Sequence, residues 1–298
     1  MRRDLRGAVA ALGNFDGVHG GHQSVIARAV EMARDRGVAA VVATFDPHPI
    51  RHLKPGTGPF ALTTLDQRRT LLRAEGVDAL LVFGFDDRLA KATPTTFVRD
   101  WLGQLGGVVT GRNFAFGHRR AGSVEMLCAL AHEHGLTSDT VGPVVLGGGM
   151  VSSSRIRAAL AEGRCAEAAH LLSRPFCIEG VIRHRWQKRP AWELSNASLD
   201  LGEYLRPRCG VYGIRGRLDD GRILWGSAAF TAPIKEELYP AVDLFLPELG
   251  ERDFGRMISV ELIGDLHHRE SYDVPIRSAP RTAACLHPSR QLLATPSG

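Results

Sequence analysis

The chain has 298 residues, of which 44% are apolar and 23% are charged, a composition that indicates a globular protein and excludes disordered and fibrous classes. This length favours two domains over a single large α/β domain. The formal net charge of +5 comes mainly from arginine and fits anionic small molecules better than nucleic acid, because the sequence contains no long basic run.

Residues 8 to about 170 alternate between short apolar runs and longer amphipathic segments. The apolar runs predict strands at "AVAAL", "VAAVVATF", "ALLVFGF", "GVVTG" and "SDTVGPVVL". Helical periodicity is seen in "GHQSVIARAVEMARDRG", "TTLDQRRTLLRAEG", "TPTTFVRDWLGQLG", "SVEMLCALAHEHG" and "SSSRIRAALAEG". Continuous apolar strands that alternate with helices are typical of a parallel sheet covered on both faces. The predicted fold class of this part is therefore α/β, a doubly wound parallel sheet.

The pattern changes near Ser173, where short β-like runs separated by turn residues begin. These runs are "EGVIRHRW", "GVYGIRGRL", "RILWGSAAF", "AVDLFLPEL" and "RMISVELIGDL". Strands at this spacing predict an antiparallel barrel or sandwich. The sequence thus predicts one domain over residues 1–172 and a smaller β domain over 173–270. Residues 271–298 have several prolines and little periodicity, so we expect a poorly ordered tail.

The stretch "GNFDGVHGGH" follows the first predicted strand and leads into the first helix. Ligands of open α/β sheets bind beyond the carboxyl ends of the strands. Backbone N–H groups and the helix dipole at His19 to His22 favour an anion there, and Gly17, Gly20 and Gly21 permit close approach of a phosphate chain. By itself the stretch is equally typical of a structural turn or a metal pair, although a third metal ligand is not evident.

The stretch "GGGMVSSSRIRAAL" contains three serines at the start of a predicted helix, followed at once by Arg155 and Arg157. One serine is accounted for as a helix cap. Arginines at the positive end of a helix dipole are unfavourable unless an anion binds there. The pattern therefore predicts a second phosphate-binding element.

Two further loops follow predicted strands. "TFDPHPIRHLKPGTGPF" is long and carries Pro47, His48 and Pro49, which indicates a rigid segment that faces a ligand. "GRNFAFGHRRAG" offers Asn113, two phenylalanines and several cations between glycines. Core packing would explain one of the phenylalanines, and we expect the rest of the set to face a ligand.

These four elements, in this order, resemble the first module of the prokaryotic bifunctional riboflavin kinase/FAD synthetase family. "GNFDGVHGGHQ" is similar to the family's H-x-G-H motif, "TFDPHP" to its F-x-P-H-P loop and "GRNFAFG" to its G-x-[DN]-F-x-F-G loop. "SSSRIR" resembles the S-S-T-x-I-R motif, with Ser154 in the threonine place. The resemblance covers residues 8 to about 185 and implies a Rossmann-like nucleotidyltransferase domain.

The resemblance implies that the phosphate of FMN attacks the α-phosphorus of ATP, giving FAD and pyrophosphate. If the roles of the family's motif residues apply to this chain, the catalytic residues are His19, His22 and Arg157, and Ser152 and Ser153 bind the pyrophosphate end of ATP. Other nucleotide-binding positions are Gly13, Phe15, Asp16, Gly17, Gly21, Ser154 and Arg155. The acceptor side takes Asn14, Phe45, Pro47, His48, Pro49, Asn113 and Phe116. Mg²⁺ is expected on the phosphates, without an assigned set of protein ligands.

The kinase half of the family is matched less well. Its motif G-x-x-x-G-R-x-x-G-F-P-T-A-N-L corresponds here to "RHRWQKRPAWELSNASL". Asn196 matches the asparagine of the motif, but Leu194 stands in place of the threonine. Asp243 replaces the glutamate expected as base, and one methylene less withdraws a carboxylate by about 1 Å. These changes predict a retained barrel with a degenerate kinase site.

Three other readings stay open at this point: an intact bifunctional enzyme, a nucleotidyltransferase for another phosphorylated metabolite, and a non-catalytic flavin- or nucleotide-binding protein. The choice of ATP over another nucleotide and the oligomeric state are also open.

Five scattered cysteines without a C-x-x-C pair indicate a reducing compartment. The short apolar run after "MRRDLRG" does not resemble a signal peptide, and no window is long enough to span a bilayer. We therefore expect a cytoplasmic protein with no membrane partner.

Overall fold

The computed structural model describes residues 5–184, 197–231 and 241–267. Its chain divides into two compact units. Unit 1 contains the described residues up to Gly58 together with Thr63–Ser153, and unit 2 contains Pro59–Leu62 together with the described residues from Ser154 onward. The division thus lies upstream of the predicted domain boundary at residue 173.

Unit 1 is built on five parallel strands in the order β3-β2-β1-β4-β5. This order reverses direction at β1, as it does in doubly wound folds, so the predicted α/β class is confirmed. The strands are β1 (Val9–Leu12), β2 (Ala40–Asp46), β3 (Ala79–Gly84), β4 (Gly107–Gly111) and β5 (Thr137–Val141).

Helices cover both faces of this sheet. They are α1 (Gly20–Asp35), α2 (Pro49–Leu53), α3 (Leu65–Ala74), α4 (Asp87–Ala90), α5 (Pro94–Phe97, continued by a π-helical turn over Val98–Leu102) and α6 (Val124–Glu133). Alternate residues of each strand enter opposite cores: Ala10 and Leu12 pack on one side, Val9 and Ala11 on the other. Burial on both faces explains why these strands appear in the sequence as unbroken apolar runs.

The predicted strand "SDTVGPVVL" is two strands in the structure. β5 ends at Val141, and Val145–Leu146 (β6) pairs instead with Gly149–Met150 (β7) in a small hairpin. Gly142 and Pro143 lie between β5 and β6. Proline lacks a backbone donor for a strand ladder, which accounts for the break.

Unit 2 contains a seven-stranded antiparallel sheet in the order β8-β14-β11-β12-β13-β10-β9. Its strands are β8 (Phe176–Val181), β9 (Arg183–His184), β10 (Ala197–Asp200), β11 (Gly210–Leu218), β12 (Ile223–Phe230), β13 (Ala241–Phe245) and β14 (Met257–His267). The two ends of this order, β8 and β9, are separated along the chain by Ile182 alone. The sheet therefore curls back on itself, which confirms the predicted barrel-like β domain.

Two helices precede the barrel strands. α7 (Ser153–Ala161) begins at the last residue of unit 1, and α8 (Cys165–Leu172) packs against β8 and β14. The packing of α8 on the barrel strands accounts for its place in unit 2, although the sequence boundary assigns it to the first domain. The predicted tail over 271–298 lies outside the described residues.

Candidate active site

The segment Gly13 to His22, called the H-x-G-H loop below, leaves the carboxyl end of β1 and enters α1. β1 is the central strand, and the strand order reverses between β1 and β4. In open α/β sheets this reversal leaves a crevice where ligands bind. The segment with Asn113 leaves the carboxyl end of the neighbouring β4. Two of the four predicted motifs thus flank the crevice.

The backbone of the H-x-G-H loop is strained. Phe15, Gly17 and Val18 have φ values of 51°, 91° and 41°, in the left-handed region that favours glycine. For a β-branched residue such as Val18 this conformation is unusual, and such residues cost about 1 to 3 kcal/mol each. The surrounding contacts must therefore hold the loop in shape.

His19 and His22 lie together at the start of α1. The His19 side chain caps the helix, because its Nδ1 accepts a hydrogen bond from the backbone N–H of His22 at 3.3 Å. The two rings stack with centroids 3.6 Å apart and an interplanar angle of 14°, and the Phe15 ring lies 5.2 Å from the His22 ring. Both imidazoles are thus placed at the positive end of the α1 dipole, where an anion is stabilised.

The serine motif meets the H-x-G-H loop within unit 1. Ser153, the first residue of α7, donates its hydroxyl to the backbone carbonyl of Asp16 at 2.8 Å, across 137 residues of sequence. A Cβ at Gly21 would lie 3.4 Å from the carbonyl oxygen of Val151 and 3.3 Å from Cε1 and Nδ1 of His19. The first turn of α1 therefore packs closely against the segment that leads into Ser152 and Ser153.

Ser154, Arg155 and Arg157 belong to unit 2, where both arginines have protein partners. Arg155 pairs with Glu167, with Nη2 3.0 Å from Oε1. Arg164 and Arg155 donate hydrogen bonds that hold the pKa of Glu167 below its ordinary value. Arg157 donates from Nε to the carbonyl of Phe60 at 2.8 Å, and its guanidinium lies 5.1 Å from the centre of the Phe60 ring.

Several residues predicted on the acceptor side pack within the protein. Phe45 and Phe116 are buried members of the core on one face of the sheet. Both contact the ring of Phe97, with centroid distances of 6.4 Å from Phe45 and 5.4 Å from Phe116. Phe114 is only partly buried and stacks on Phe116. Core packing therefore accounts for Phe45 and Phe116.

The remaining acceptor-side residues lie in loops. His48 caps α2, since its Nδ1 accepts from the N–H of Ile50 at 3.2 Å, and Pro49 is the first residue of that helix. Pro47 follows a cis peptide bond and is exposed. The side-chain amide of Asn113 is exposed and donates to Sδ of Met150 at 3.2 Å.

Asn14 and Asp16 are both tied to the protein by contacts that the sequence did not predict. Asp16 is only 2% exposed, and its Oδ1 accepts from the N–H of Thr63 at 3.0 Å and from Oγ1 of Thr63 at 3.2 Å. The carbonyl of Asn14 accepts from Nη1 of Arg68 and from Oγ1 of Thr44, each at 3.0 Å. Both residues thus support the loop from within, in addition to their predicted ligand roles.

The described residues bear on the predicted metal and on part of the predicted kinase site. Within the described ranges, the His, Cys, Asp and Glu side chains form no group of three or more able to hold a metal ion. Asp243 is half-buried on β13, opposite Ser198 of β10 and Ala229 of β12. Asn196 and Leu194 lie outside the described residues. None of the helices in the described part of the chain has the length and hydrophobicity needed to cross a bilayer.

Comparison with known proteins agrees with this geometry. A family model described as FAD synthetase matches residues 1–155. The bifunctional riboflavin kinase/FMN adenylyltransferase of Pseudomonas fluorescens is 35% identical over 223 residues, which cover 74% of this chain and 71% of that protein. The chain belongs to the FAD synthetase family. It is therefore an enzyme of the FAD synthetase kind, as the sequence predicted.

Other relatives extend the match. The bifunctional riboflavin kinase/FMN adenylyltransferase of Escherichia coli K12 is 29% identical over 270 residues, covering 89% of this chain and 86% of that protein. A crystal structure of a macrolide-efflux protein from Streptococcus pneumoniae superposes with a TM-score of 0.81 over 98% of this chain and 95% of its own, at 23% identity. At that identity the superposition shows the fold alone.

Proposed function

We propose that this family member transfers AMP from ATP to the phosphate of FMN, forming FAD and pyrophosphate. The observation that carries the proposal is the contact between its two phosphate motifs. Ser153 donates to the Asp16 carbonyl at 2.8 Å, and a Cβ at Gly21 would lie 3.4 Å from the carbonyl oxygen of Val151. This contact brings the serine motif to the H-x-G-H loop, at the carboxyl end of the central strand.

In this reaction a phosphate oxygen of FMN bonds to the α-phosphorus of ATP while the bond from that phosphorus to the bridging oxygen breaks. Such a transfer needs alignment of the two phosphates and neutralisation of the charge on the leaving pyrophosphate. We assign His19, His22 and the N-terminus of α1 to the triphosphate, where imidazole donors and the helix dipole stabilise negative charge. Ser152 supplies a further hydroxyl, and Ser153 fixes the loop.

Magnesium is expected to enter with ATP as part of the substrate. The described residues do not provide a protein cage for it, and Mg²⁺ bound to nucleotide phosphates commonly keeps several waters. We therefore assign no protein ligand to the ion. FMN is assigned to the loops after β2 and β4, with Asn113 as an exposed polar side chain two residues beyond the end of β4.

We further propose that the β domain has lost riboflavin kinase activity. The support is chemical: Asp243 and Leu194 replace the glutamate and threonine of the family motif. The relatives from Pseudomonas fluorescens and Escherichia coli are named as bifunctional, so the second candidate is an intact bifunctional enzyme.

One assay tests both proposals. Purified protein with Mg²⁺ and α-labelled ATP is offered FMN, and separately riboflavin with γ-labelled ATP. We expect labelled FAD and unlabelled pyrophosphate from FMN, and neither labelled FMN nor labelled FAD from riboflavin. Labelled FMN or labelled FAD from riboflavin would establish the bifunctional candidate and refute kinase loss. Absence of FAD would refute adenylyl transfer to FMN, and other phosphorylated acceptors would then be tried in the same assay.

A further inference from the structure

Thr63 makes a compact set of hydrogen bonds to the H-x-G-H loop. Its Oγ1 accepts from the N–H of Gly17 at 3.0 Å and donates to Oδ1 of Asp16 at 3.2 Å. Its own N–H donates to the same Oδ1 at 3.0 Å. Thr63 is 4% exposed and Asp16 is 2% exposed, so these bonds are shielded from water and are correspondingly specific.

The bonds act on the strained part of the loop. Phe15 and Val18, with φ values of 51° and 41°, flank the Asp16 and Gly17 that Thr63 contacts. Residues in such conformations persist only when their surroundings over-determine them. Thr63 is hydrogen-bonded both to the N–H of Gly17 and to the side chain of Asp16. It therefore fixes two successive residues of the turn that leads directly into His19.

Arg68 supports the same loop from the adjacent helix α3. Its Nη1 donates to the carbonyl of Asn14 at 3.0 Å, and its Nη2 lies 3.5 Å from the carbonyl of Thr63. The guanidinium thus contacts both the H-x-G-H loop and Thr63, the residue that is hydrogen-bonded to that loop. Arg68 is 5% exposed, a degree of burial that is uncommon for arginine.

We propose that Thr63, supported by Arg68, is a positioning residue for adenylyl transfer: it holds the strained turn at Asp16 and Gly17 so that His19 and the first turn of α1 face the triphosphate. The inference rests on the proposed function for its role in turnover. It concerns ATP in particular, because the loop that Thr63 holds carries the residues assigned to the triphosphate. The FMN side is assigned to other loops.

The test uses two variants of Thr63 in the full chain. Thr63→Val removes the hydroxyl and keeps the shape, whereas Thr63→Ser keeps the hydroxyl. Thr70→Val is the matched control, since Thr70 lies exposed on the nearby helix α3 and donates locally, to the carbonyl of Asp66. Steady-state kinetics give KM for ATP and for FMN, and titration calorimetry gives Kd for Mg·ATP without an acceptor.

We expect Thr63→Val to raise KM and Kd for ATP by about tenfold or more, with KM for FMN changed by less than about twofold. Thr63→Ser should stay within about threefold of the parent, because it can restore both hydroxyl bonds. A variant that merely lost folded protein would show a lower apparent kcat with both KM values unchanged. Parental ATP affinity in Thr63→Val, or equal impairment in Thr63→Ser, would overturn the inference.

Two outcomes separate this inference from the proposed function. A parent protein that forms no FAD refutes the function, while the Kd comparison for Mg·ATP still decides the role of Thr63. If Thr63→Val is recovered unfolded, Arg68→Lys tests the same support, since lysine keeps the charge but cannot reproduce the planar fork of donors. Unchanged ATP affinity in folded Arg68→Lys would then overturn the inference.

Discussion

Alanine at Gly21 should disturb catalysis, whereas alanine at the adjacent Gly20 provides a matched comparison for stability. A Cβ at Gly21 would lie 3.3 Å from Cε1 and Nδ1 of His19 and 3.4 Å from the carbonyl oxygen of Val151. A Cβ at Gly20 would meet nothing within 4 Å. Both glycines lie in the first turn of α1, so any difference between the two variants reports on these contacts.

The expected magnitudes follow from two opposing effects. Alanine is favoured over glycine in a helix by up to about 1 kcal/mol, and both variants receive this gain. In Gly21→Ala, the His19 ring or the Val151 carbonyl must also move by a few tenths of an ångström, a strain of about 1 kcal/mol in a packed region. The free energy of unfolding should therefore rise by up to about 1 kcal/mol in Gly20→Ala and stay near the parental value in Gly21→Ala.

The activity of Gly21→Ala should fall although its stability stays near the parental value. A misplacement of about 1 Å at a reacting group lowers the rate about a hundredfold. A shift of the His19 ring by a few tenths of an ångström should therefore lower kcat/KM for FAD formation by roughly tenfold. Urea unfolding followed by circular dichroism gives the stabilities, and FAD formation from FMN and ATP gives the rates. Equal stabilities of the two variants together with parental turnover in Gly21→Ala would refute the reasoning.

Three further substitutions test other contacts. Ser153→Ala should lower the free energy of unfolding by about 1 kcal/mol and kcat/KM by roughly tenfold, and an unchanged FAD-forming rate would contradict its role in fixing the loop. Phe116→Ala should cost about 3 to 5 kcal/mol in urea unfolding as a core residue; a cost well below 1 kcal/mol would instead favour a purely ligand-facing role. The backbone N–H of Gly250 and the guanidinium of Arg222 lower the pKa of Asp253. This stabilisation is present above the ordinary aspartate pKa of about 3.9 and is lost as the pH falls through the lower pKa of the folded state. The free energy of unfolding of Asp253→Asn, measured in urea, should therefore decrease less steeply at acidic pH than that of the parent. An unchanged dependence on acidic pH would contradict this.

The sheet of unit 1 could be predicted because its signal is local. β1, β2 and β4 are buried on both faces, and burial on both faces requires unbroken apolar runs such as "VAAVVATF". The prediction of a single strand at "SDTVGPVVL" was wrong because the local signal there is misleading. Its apolar content extends past Val141, but Pro143 cannot continue a ladder, and the partner of the second part was not visible from composition.

The candidate site was predictable only in part. His19, His22 and Ser153 stand in recognisable motifs, because their chemistry depends on residue type and spacing next to a helix start. Thr63 and Arg68 carry no comparable local signal: their partners in the loop lie 46 to 54 residues away. The sequence also could not decide whether Phe116 packs in the core or faces a ligand, since a phenylalanine can do either and the residue type alone does not distinguish them.

The sequence by itself determined the alternation of strands and helices, the position of a glycine-rich turn after the first strand, and the change to β structure in the second half. These properties follow from periodicity and backbone preference, which act over a few residues. Only the tertiary structure decided that Ser153 reaches the carbonyl of Asp16, that Thr63 grips the strained turn, and that Arg157 donates to Phe60. Such contacts depend on strand order and on the crossing of distant segments, which no local pattern encodes.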